Sequence, residues 1–457
     1  MQDKLEKIAS APAKVLDKTV DTSREIISNT SDFLRIKKAR EYWRILGPGL
    51  TTGASDDDPS GIGTYSQAGA QYGNQLLWLS WFTFPLMSIV QEMCARLALV
   101  TGRGLAGNIK HNFPKWVLYS TTILLFITNT FNIGADLGAM AKASQLLLPD
   151  ISFFNLLIFF AILSLAIQIF STYRQYSQYL KWLALILISY ILSALSVKGL
   201  DWIEIVKSAV IPSIEFSTAQ IVLVCAILGT TISPYLFFWQ TNQEIEEEIA
   251  TGKTTMASRQ EPTKKAVKEM RIDVWSGMFL SNLVMFFIIL ASSATLFSAG
   301  ITNIGTAADA AEALRPIAGD QAFLLFALGI IGTGMLAIPV LAGSASYAMS
   351  ESFGWDHGLG RTLKQASAFY GIIIFSMAIG FLINFIGFDP IKALIYSAII
   401  NGLVAPIILV LIVLMSSNKK IMGENTSHPA TQILGWFIAF VMTLAGIGTI
   451  AAFAGII

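Results

Sequence analysis

Long apolar runs constrain this chain more than any other feature of its sequence. A helix needs about 20 mostly apolar residues to cross a bilayer, and about eleven segments approach that length. They lie near 45–70, 75–100, 117–147, 153–172, 178–197, 218–243, 272–298, 322–350, 366–388, 391–416 and 432–456. Only 13% of the residues are charged, against roughly a quarter in soluble proteins. These features predict an all-α polytopic membrane protein.

The distribution of basic residues predicts the orientation of the chain. Lys and Arg concentrate in segment 1–44 and in the loops after spans two, six and ten, for example at Arg103, Lys264 and Lys419. Basic loops mark the cytoplasmic side of a membrane. We therefore expect a plasma or inner membrane protein with its N-terminus in the cytoplasm. An odd number of spans then places the C-terminus outside.

The sequence predicts two regions of different character. Residues 1–42 are polar and are expected to be a cytoplasmic tail, either flexible or folded as an amphipathic helix on the membrane. Residues 43–457 are expected to form the transmembrane domain. The net charge is +1, which argues against a nucleic acid partner and leaves the lipid bilayer as the expected surroundings.

Two of the predicted spans contain helix breakers in the middle of an apolar run. The first carries "GPGLTTGASDDDPSGIG" at 47–63, and the sixth carries "GTTISPY" at 229–235. Unwound backbone is tolerated at membrane depth only where it is buried in protein or lines a cavity. Interrupted helices at matching positions in two halves are typical of inverted-repeat transporters, with the substrate site between them. The spacing of five spans predicts a five-plus-five repeat.

The run Asp56-Asp57-Asp58 lies inside the first break. A carboxylate within a membrane is costly and by default marks function. Asp58 directly precedes Pro59 and is therefore predicted to face the site, whereas Asp56 and Asp57 receive no role from the sequence.

Elsewhere, Glu92 and Arg96 are spaced four residues apart, which favours a structural ion pair over a gate.

Several motifs resemble those of the NRAMP divalent-metal transporters. "DPSGIGTYSQAGAQYGNQLLW", "GADLGAM", "GTTISPY", "RIDV" and "KKIMG" follow the order and spacing of that family from about residue 42 to the end. The resemblance implies a LeuT-type fold with eleven helices, and uptake of a divalent transition metal, commonly with protons. It implies no cofactor, no enzymatic activity and no obligatory protein partner, with the metal ion as substrate.

The resemblance also implies a set of site residues. Asp58 matches the family's charged ligand, and Ser55 and Thr230 match its backbone carbonyl donors. Ser233 stands where the family has methionine, and Ser60-Gly61 where it has Gly-Asn. Tyr235 stands at the family's histidine. Asp136 matches the third-helix aspartate, and Ala139 replaces the carboxylate three residues beyond it.

These departures predict a preference for hard ions. With the thioether and the amide gone, hydroxyl and carbonyl oxygens remain around Asp58, at Ser55, Ser60, Thr230, Thr231 and Ser233. Such ligands suit Mg²⁺ and Mn²⁺, and a branch of the family without the methionine is known to carry Mg²⁺. We therefore expect Mn²⁺ or Mg²⁺, with Fe²⁺ as a further candidate. Because the histidine and one carboxylate are missing, we expect weak or absent proton coupling, with Asp136 as the candidate for a proton path.

Two other functions remain open at this point. Small residues at 61 and 233 beside Tyr235 leave room for a small organic solute, so a LeuT-fold transporter of such a solute is one alternative. A membrane sensor or scaffold that keeps the fold without transport is the other. The chain contains no Walker motif, GxSxG elbow or HExxH sequence, so nothing in it supports ATP hydrolysis or other enzymatic hydrolysis.

Overall fold

The computed structural model describes residues 42–43, 45–171, 175, 179, 187–197, 199–260, 262–312, 322–387 and 389–456. The chain divides into two compact units, Met1–Gly47 and Pro48–Ile457, and the transmembrane helices belong to the second. Within the described ranges every regular element is helical, so the all-α prediction is confirmed. The predicted tail over 1–42 lies, apart from residue 42, outside these ranges.

The helices longer than five residues are numbered here in chain order. They are α1 Pro48–Asp56, α2 Pro59–Tyr72, α3 Trp78–Thr101, α4 Leu105–Asn112, α5 Lys115–Gln145, α6 Phe153–Phe170, α7 Ile188–Ser196, α8 Trp202–Val210, α9 Thr218–Thr231, α10 Pro234–Ala250, α11 Lys264–Ser292, α12 Ala307–Glu312, α13 Ala322–Phe353, α14 Ser367–Ile383, α15 Pro390–Ser416 and α16 Pro429–Phe453.

Eight helices in the described part of the chain are long and apolar enough to cross a membrane, with α9 and α10 counted as one. The other three predicted spans are not single long helices in the described part of the chain. The first is the pair α1 and α2, and the ninth is α14, an apolar helix of 17 residues. The fifth, near 178–197, is described only at residue 179 and from 187 onward.

Both broken spans are interrupted in the same way, by a proline at the start of the second half-helix. At the first break, α2 begins with Pro59, and Asp58 caps it by accepting a hydrogen bond from the Gly61 N–H. At the second break, α10 begins with Pro234, and Ser233 before it is extended. Proline suits the first position of a helix, where its missing N–H costs nothing. Each proline therefore ends one half-helix and starts the next.

Helix α11 holds the N-terminal half of the first span. Asp273 accepts hydrogen bonds from the backbone N–H groups of Gly49 and Leu50, at 2.7 and 3.1 Å. One turn further on, Gly53 lies against Gly277 so closely that a Cβ added to Gly53 would overlap the Gly277 carbonyl. A carboxylate at a helix N-terminus satisfies its free N–H groups and complements its dipole. α1 is therefore both capped and closely packed by one face of α11.

A partly buried cluster of charged side chains joins α3 to the same helix. Glu92 pairs with Arg96, as its spacing predicts. It also accepts hydrogen bonds from Arg271 Nε at 3.0 Å and Trp275 Nε1 at 2.8 Å. The cluster therefore links two spans as well as two turns of one helix, which is consistent with a structural role.

Candidate metal centre

Asp58 is held by three neutral donors at the break of the first span. Its Oδ1 accepts from the Ser60 hydroxyl at 2.6 Å and from the Gly61 N–H at 2.7 Å. Its Oδ2 accepts from the Asn132 amide at 2.9 Å. Only 1% of the residue is exposed. The carboxylate is therefore fixed in orientation, and none of these three donors neutralises its charge.

Side chains from the two breaks face each other. The Ser60 and Thr230 hydroxyls are 3.4 Å apart, and the Tyr65 hydroxyl lies 2.9 Å from that of Thr231. α2 and α9 supply one member of each pair. The structure thus brings Ser60 and Thr230, both predicted around Asp58, into contact, and it places Thr231 against Tyr65, although the members of each pair are about 170 residues apart in the sequence.

The backbone carbonyls of Ser55 and Thr230, predicted as metal ligands, also accept hydrogen bonds. Tyr235 donates to the Ser55 carbonyl at 2.8 Å. Ser233 is close enough to donate to the carbonyls of Thr230 and Gly229, at 2.6 and 2.7 Å. A carbonyl oxygen has two lone pairs, so one side-chain hydrogen bond does not by itself prevent it from binding a cation. Tyr235 therefore bridges the second break to the first.

Gly61 is needed because the space beside it is already filled. A Cβ at this position would lie 3.1 Å from the Asp56 carbonyl oxygen and 3.3 Å from the Thr230 hydroxyl. Both distances are tighter than ordinary van der Waals contact. An amide side chain at position 61 would therefore have to displace Thr230.

Asn132 on α5 is a site residue that the sequence reasoning did not assign. Its amide reaches Asp58, while its Oδ1 is buried without a hydrogen-bond partner in the described structure. Asp136 lies four residues further along the same helix, wholly buried, and neither of its carboxylate oxygens makes a hydrogen bond within the described residues. Residues four apart share a helix face. The spacing of Asn132 from Asp136 was therefore a signal that pointed to it.

Most oxygen atoms around Asp58 belong to neutral groups. Within the described residues, no three His, Cys, Asp or Glu side chains converge, so the other donors are hydroxyl, carbonyl and amide oxygens. Met285 Sδ lies 3.8 Å from the Thr231 hydroxyl. Asp58, Ser55, Thr230 and Ser233 are all buried, so the site is enclosed in this conformation.

Comparison with known proteins gives matches over most of the chain. A family model described as natural resistance-associated macrophage protein-like matches residues 49–452. A divalent metal cation transporter MntH from Deinococcus radiodurans is 22% identical over 413 residues, which cover 88% of each chain. The protein of the same name from Aeromonas hydrophila is 23% identical over 405 residues, 86% of this chain and 92% of the relative.

Solved structures show the same fold. A manganese transporter from Eremococcus coleocola, in complex with an aromatic bis-isothiourea compound, has a TM-score of 0.69 at 18% identity, covering 90% of this chain and 87% of the other. Mhp1 in an inward-facing conformation has a TM-score of 0.53 at 13% identity, covering 90% and 91%. At these identities the likeness concerns the fold alone, and it is the LeuT type.

Proposed function

This chain belongs to the natural resistance-associated macrophage protein-like family, whose members are transporters and not enzymes, and from that premise we propose that it carries a divalent metal ion across the membrane by alternating access. Asp58 is the charged ligand. The carbonyl oxygens of Ser55 and Thr230 and the hydroxyl of Ser233 complete the ligand set. Ser60, Gly61, Thr231 and Tyr235 shape the site and close it.

One observation carries the proposal: an enclosed carboxylate whose hydrogen-bond donors are all neutral. A buried charge is costly unless it is paired or binds an ion. Ser60, Gly61 and Asn132 orient the Asp58 carboxylate without cancelling its charge. A cation supplies the missing charge, and the position between two broken helices gives it access from either side as the helices move.

The donor chemistry supports Mn²⁺ or Mg²⁺, with Fe²⁺ as a further substrate. Oxygen donors favour hard cations, and thioether sulfur favours soft ones. At the second break Ser233 stands where the family has methionine, and the Met285 sulfur lies 3.8 Å from the Thr231 hydroxyl. Mg²⁺ keeps several waters when it binds proteins, so its entry requires a more open conformation than the enclosed one.

The close packing argues against an organic solute. Tyr235 is bonded across to Ser55, and the space at Gly61 is filled by the Asp56 carbonyl and Thr230. This leaves an ion as the substrate that fits the enclosed state. We propose a multi-pass protein of the plasma or inner membrane, with the N-terminus in the cytoplasm and no cofactor or obligatory protein partner.

The test is metal uptake by the purified chain in proteoliposomes, over a panel of Mg²⁺, Mn²⁺, Fe²⁺, Co²⁺, Cd²⁺ and Ca²⁺. The wild type takes up Mn²⁺ or Mg²⁺, and Asp58→Asn loses uptake while remaining monodisperse, because only neutral donors then remain. Uptake by Asp58→Asn at the wild-type rate would place the site elsewhere, with Asp136 as the next candidate. A wild type that moves no metal but does move an organic solute, or moves nothing, would favour one of the alternatives.

A further inference from the structure

A cavity of about 430 Å³ lies apart from the Asp58 site, and none of the residues proposed as metal ligands lines it. Its walls are α4 with residues 102–104 before it, the end of α10 with the segment after it, and the end of α13 with the segment after it. The loops after spans two and six, which the sequence predicts to be cytoplasmic, therefore meet here. The volume lies in the range of small-molecule sites, roughly 300–1,000 Å³.

Two buried carboxylates in the wall of this cavity already have their own donors. Glu351 of α13 accepts from the backbone N–H groups of Gly104 and Gly107 at the start of α4, both at 2.9 Å. Glu246 of α10 accepts from the Tyr347 hydroxyl at 2.6 Å, and from a backbone N–H of the segment after α13 at 3.0 Å. Both carboxylates are therefore used within the protein to hold the walls together.

The basic side chains of the same cavity are mostly unpaired. Arg361 forms an ion pair with Asp356 at 2.5 Å. Within the described residues, no carboxylate lies within ion-pair distance of Arg103, Lys110 or Arg259. In the described lining, basic side chains outnumber acidic ones by four to three. Three cations around one cavity are therefore left without a direct counter-charge.

The hydrogen bonds of these three cations leave donors free for a ligand. Arg259 is half-buried, its Nη2 lies 3.5 Å from the Gly102 carbonyl oxygen, and its Nε has no partner within the described residues. Gly102 directly precedes Arg103, whose hydrogen bonds in the described structure are made by its backbone alone. Lys110 Nζ donates to the Glu351 carbonyl at 3.1 Å. An ammonium group has three donors and a guanidinium group has five, so all three side chains keep unused N–H groups.

We propose that this cavity is a binding site for a phosphoryl group, held by Arg103, Lys110 and Arg259. Arginine and lysine are the side chains that bind phosphate oxygens in proteins. Like charges gathered around one cavity repel each other, and a bound anion removes that repulsion. The inference goes beyond the proposed function, because it does not depend on which ion Asp58 binds.

A bound phosphoryl group links parts of the chain that are distant in sequence. Arg259 lies in the segment after α10, whereas Arg103 and Lys110 lie before and within α4. A ligand that contacts all three joins the loops after spans two and six, so it stabilises this end of the protein. The same chemistry is offered by a soluble phosphate compound and by the headgroup of an anionic lipid.

The experiment measures binding of inorganic phosphate and of glycerol 3-phosphate to the purified full-length chain by calorimetry, together with the thermal unfolding midpoint. Chloride at the same ionic strength controls for screening. The wild type binds saturably and unfolds a few degrees higher with the phosphate compound than with chloride. Arg103→Gln weakens binding about fivefold to tenfold, and it removes a charge without removing a side-chain hydrogen bond. Lys420→Gln, at an exposed lysine outside the cavity, is the matched control and binds as the wild type does.

A variant with the opposite expected effect makes the test sharper. Asp356→Asn removes a carboxylate from the lining and frees Arg361 from its ion pair, so it tightens phosphate binding several-fold. Asp58→Asn leaves phosphate binding unchanged, whatever it does to metal uptake, so a failure of the transport proposal is seen in a different measurement.

Lipid nanodiscs distinguish the two sources of the phosphoryl group. The chain is placed in phosphatidylcholine with or without phosphatidic acid, and bound lipid is counted by native mass spectrometry. Phosphatidic acid that is retained by the wild type and lost in Arg103→Gln assigns the site to a lipid headgroup, whereas saturable binding of the soluble compounds alone assigns it to a free phosphate. The inference is overturned if neither binds, if chloride stabilises the chain equally, or if Arg103→Gln and Lys420→Gln behave alike.

Discussion

At the scale of single residues, three consecutive aspartates meet three different environments. Asp58 receives hydrogen bonds from Ser60, Gly61 and Asn132. Asp56 receives one from Ser281, and Asp57 receives none within the described residues. The same chemical group thus accepts three hydrogen bonds at one position and none, within the described residues, at its neighbour. What each aspartate does is set by the helix opposite it.

Replacing Asn132 tests whether its amide positions Asp58. In Asn132→Ala, Asp58 Oδ2 loses its donor, and a hydrogen bond to a charged group contributes about 1.5–3 kcal/mol. We expect divalent-ion affinity, measured by calorimetry, to fall about tenfold or more. Asn129→Ala is the matched control, since Asn129 bonds to Leu341 and Ser344 on α13 and not to Asp58. Equal affinities in the two variants would contradict the role given to Asn132.

Ser233→Met tests the hard-ion preference. Thioether sulfur favours soft metals, so the variant is expected to gain Cd²⁺ affinity relative to Mg²⁺ by about tenfold, measured by competition for Mn²⁺ uptake. Adding Gly61→Asn strengthens the shift only if Thr230 moves aside, because a side chain at 61 is crowded. Met285→Leu is the control for the native sulfur beside Thr231. A wild type that already binds Cd²⁺ more tightly than Mn²⁺ would show the hard-ion reasoning to be wrong.

At the scale of secondary-structure elements, α1 is a short helix that depends on α11. Its nine residues are too few for a stable isolated helix. Asp273 caps its N-terminus, Gly277 lets it approach, and Ser281 bonds its last residue. These three residues are spaced four apart and so lie along one face of α11. Movement of α1 during transport therefore requires breaking contacts along that face.

Removing the cap is expected to loosen α1. In Asp273→Ala the N–H groups of Gly49 and Leu50 lose their acceptor, so α1 detaches more often. A cysteine introduced by Thr51→Cys, at a buried position, should then react with a maleimide several-fold faster than in Thr51→Cys alone. Asp389→Ala, which removes an equivalent cap from α15, should leave that rate unchanged. Equal labelling with and without Asp273 would show that the cap does not hold α1.

At the scale of the whole molecule, the residues around Asp58 are buried between the two broken spans. Tyr235 and Ser55 join the breaks directly, and the Ser60–Thr230 and Tyr65–Thr231 pairs stand beside them. The alternating access that we propose requires these contacts to separate. Whether a proton accompanies the metal depends on a group that titrates as the site opens.

We expect proton coupling to be weak or absent. The family's histidine position is Tyr235, and a tyrosine hydroxyl has a reference pKa of about 10, too high to titrate near neutrality. Ala139 supplies no carboxylate, which leaves Asp136 as the candidate proton carrier. The measurement uses a pH-sensitive dye inside proteoliposomes during metal influx, with the membrane potential clamped. Acidification that follows metal concentration and disappears in Asp136→Asn would refute the expectation and make Asp136 the carrier.

Much of this fold follows from the sequence because its determinants are local. Roughly twenty apolar residues make a span wherever they occur, and a proline ends a helix through its own missing N–H. The breaks at Pro59 and Pro234 can therefore be predicted from the few residues around each proline. The Glu92–Arg96 ion pair can be predicted from the sequence in the same way, since the two residues are one helical turn apart.

By itself the sequence determined an all-helical membrane protein with two broken spans and a carboxylate at the first break. Only the tertiary structure decided which aspartate faces which neighbour. Two donors to Asp58 are local, but the third, the Asn132 amide, comes from a helix 74 residues away, and the donor to Asp56 comes from one 225 residues away. No local pattern encodes such pairings, because the direction of a side chain is fixed by its own helix, whereas what it meets is fixed by how the other helices pack.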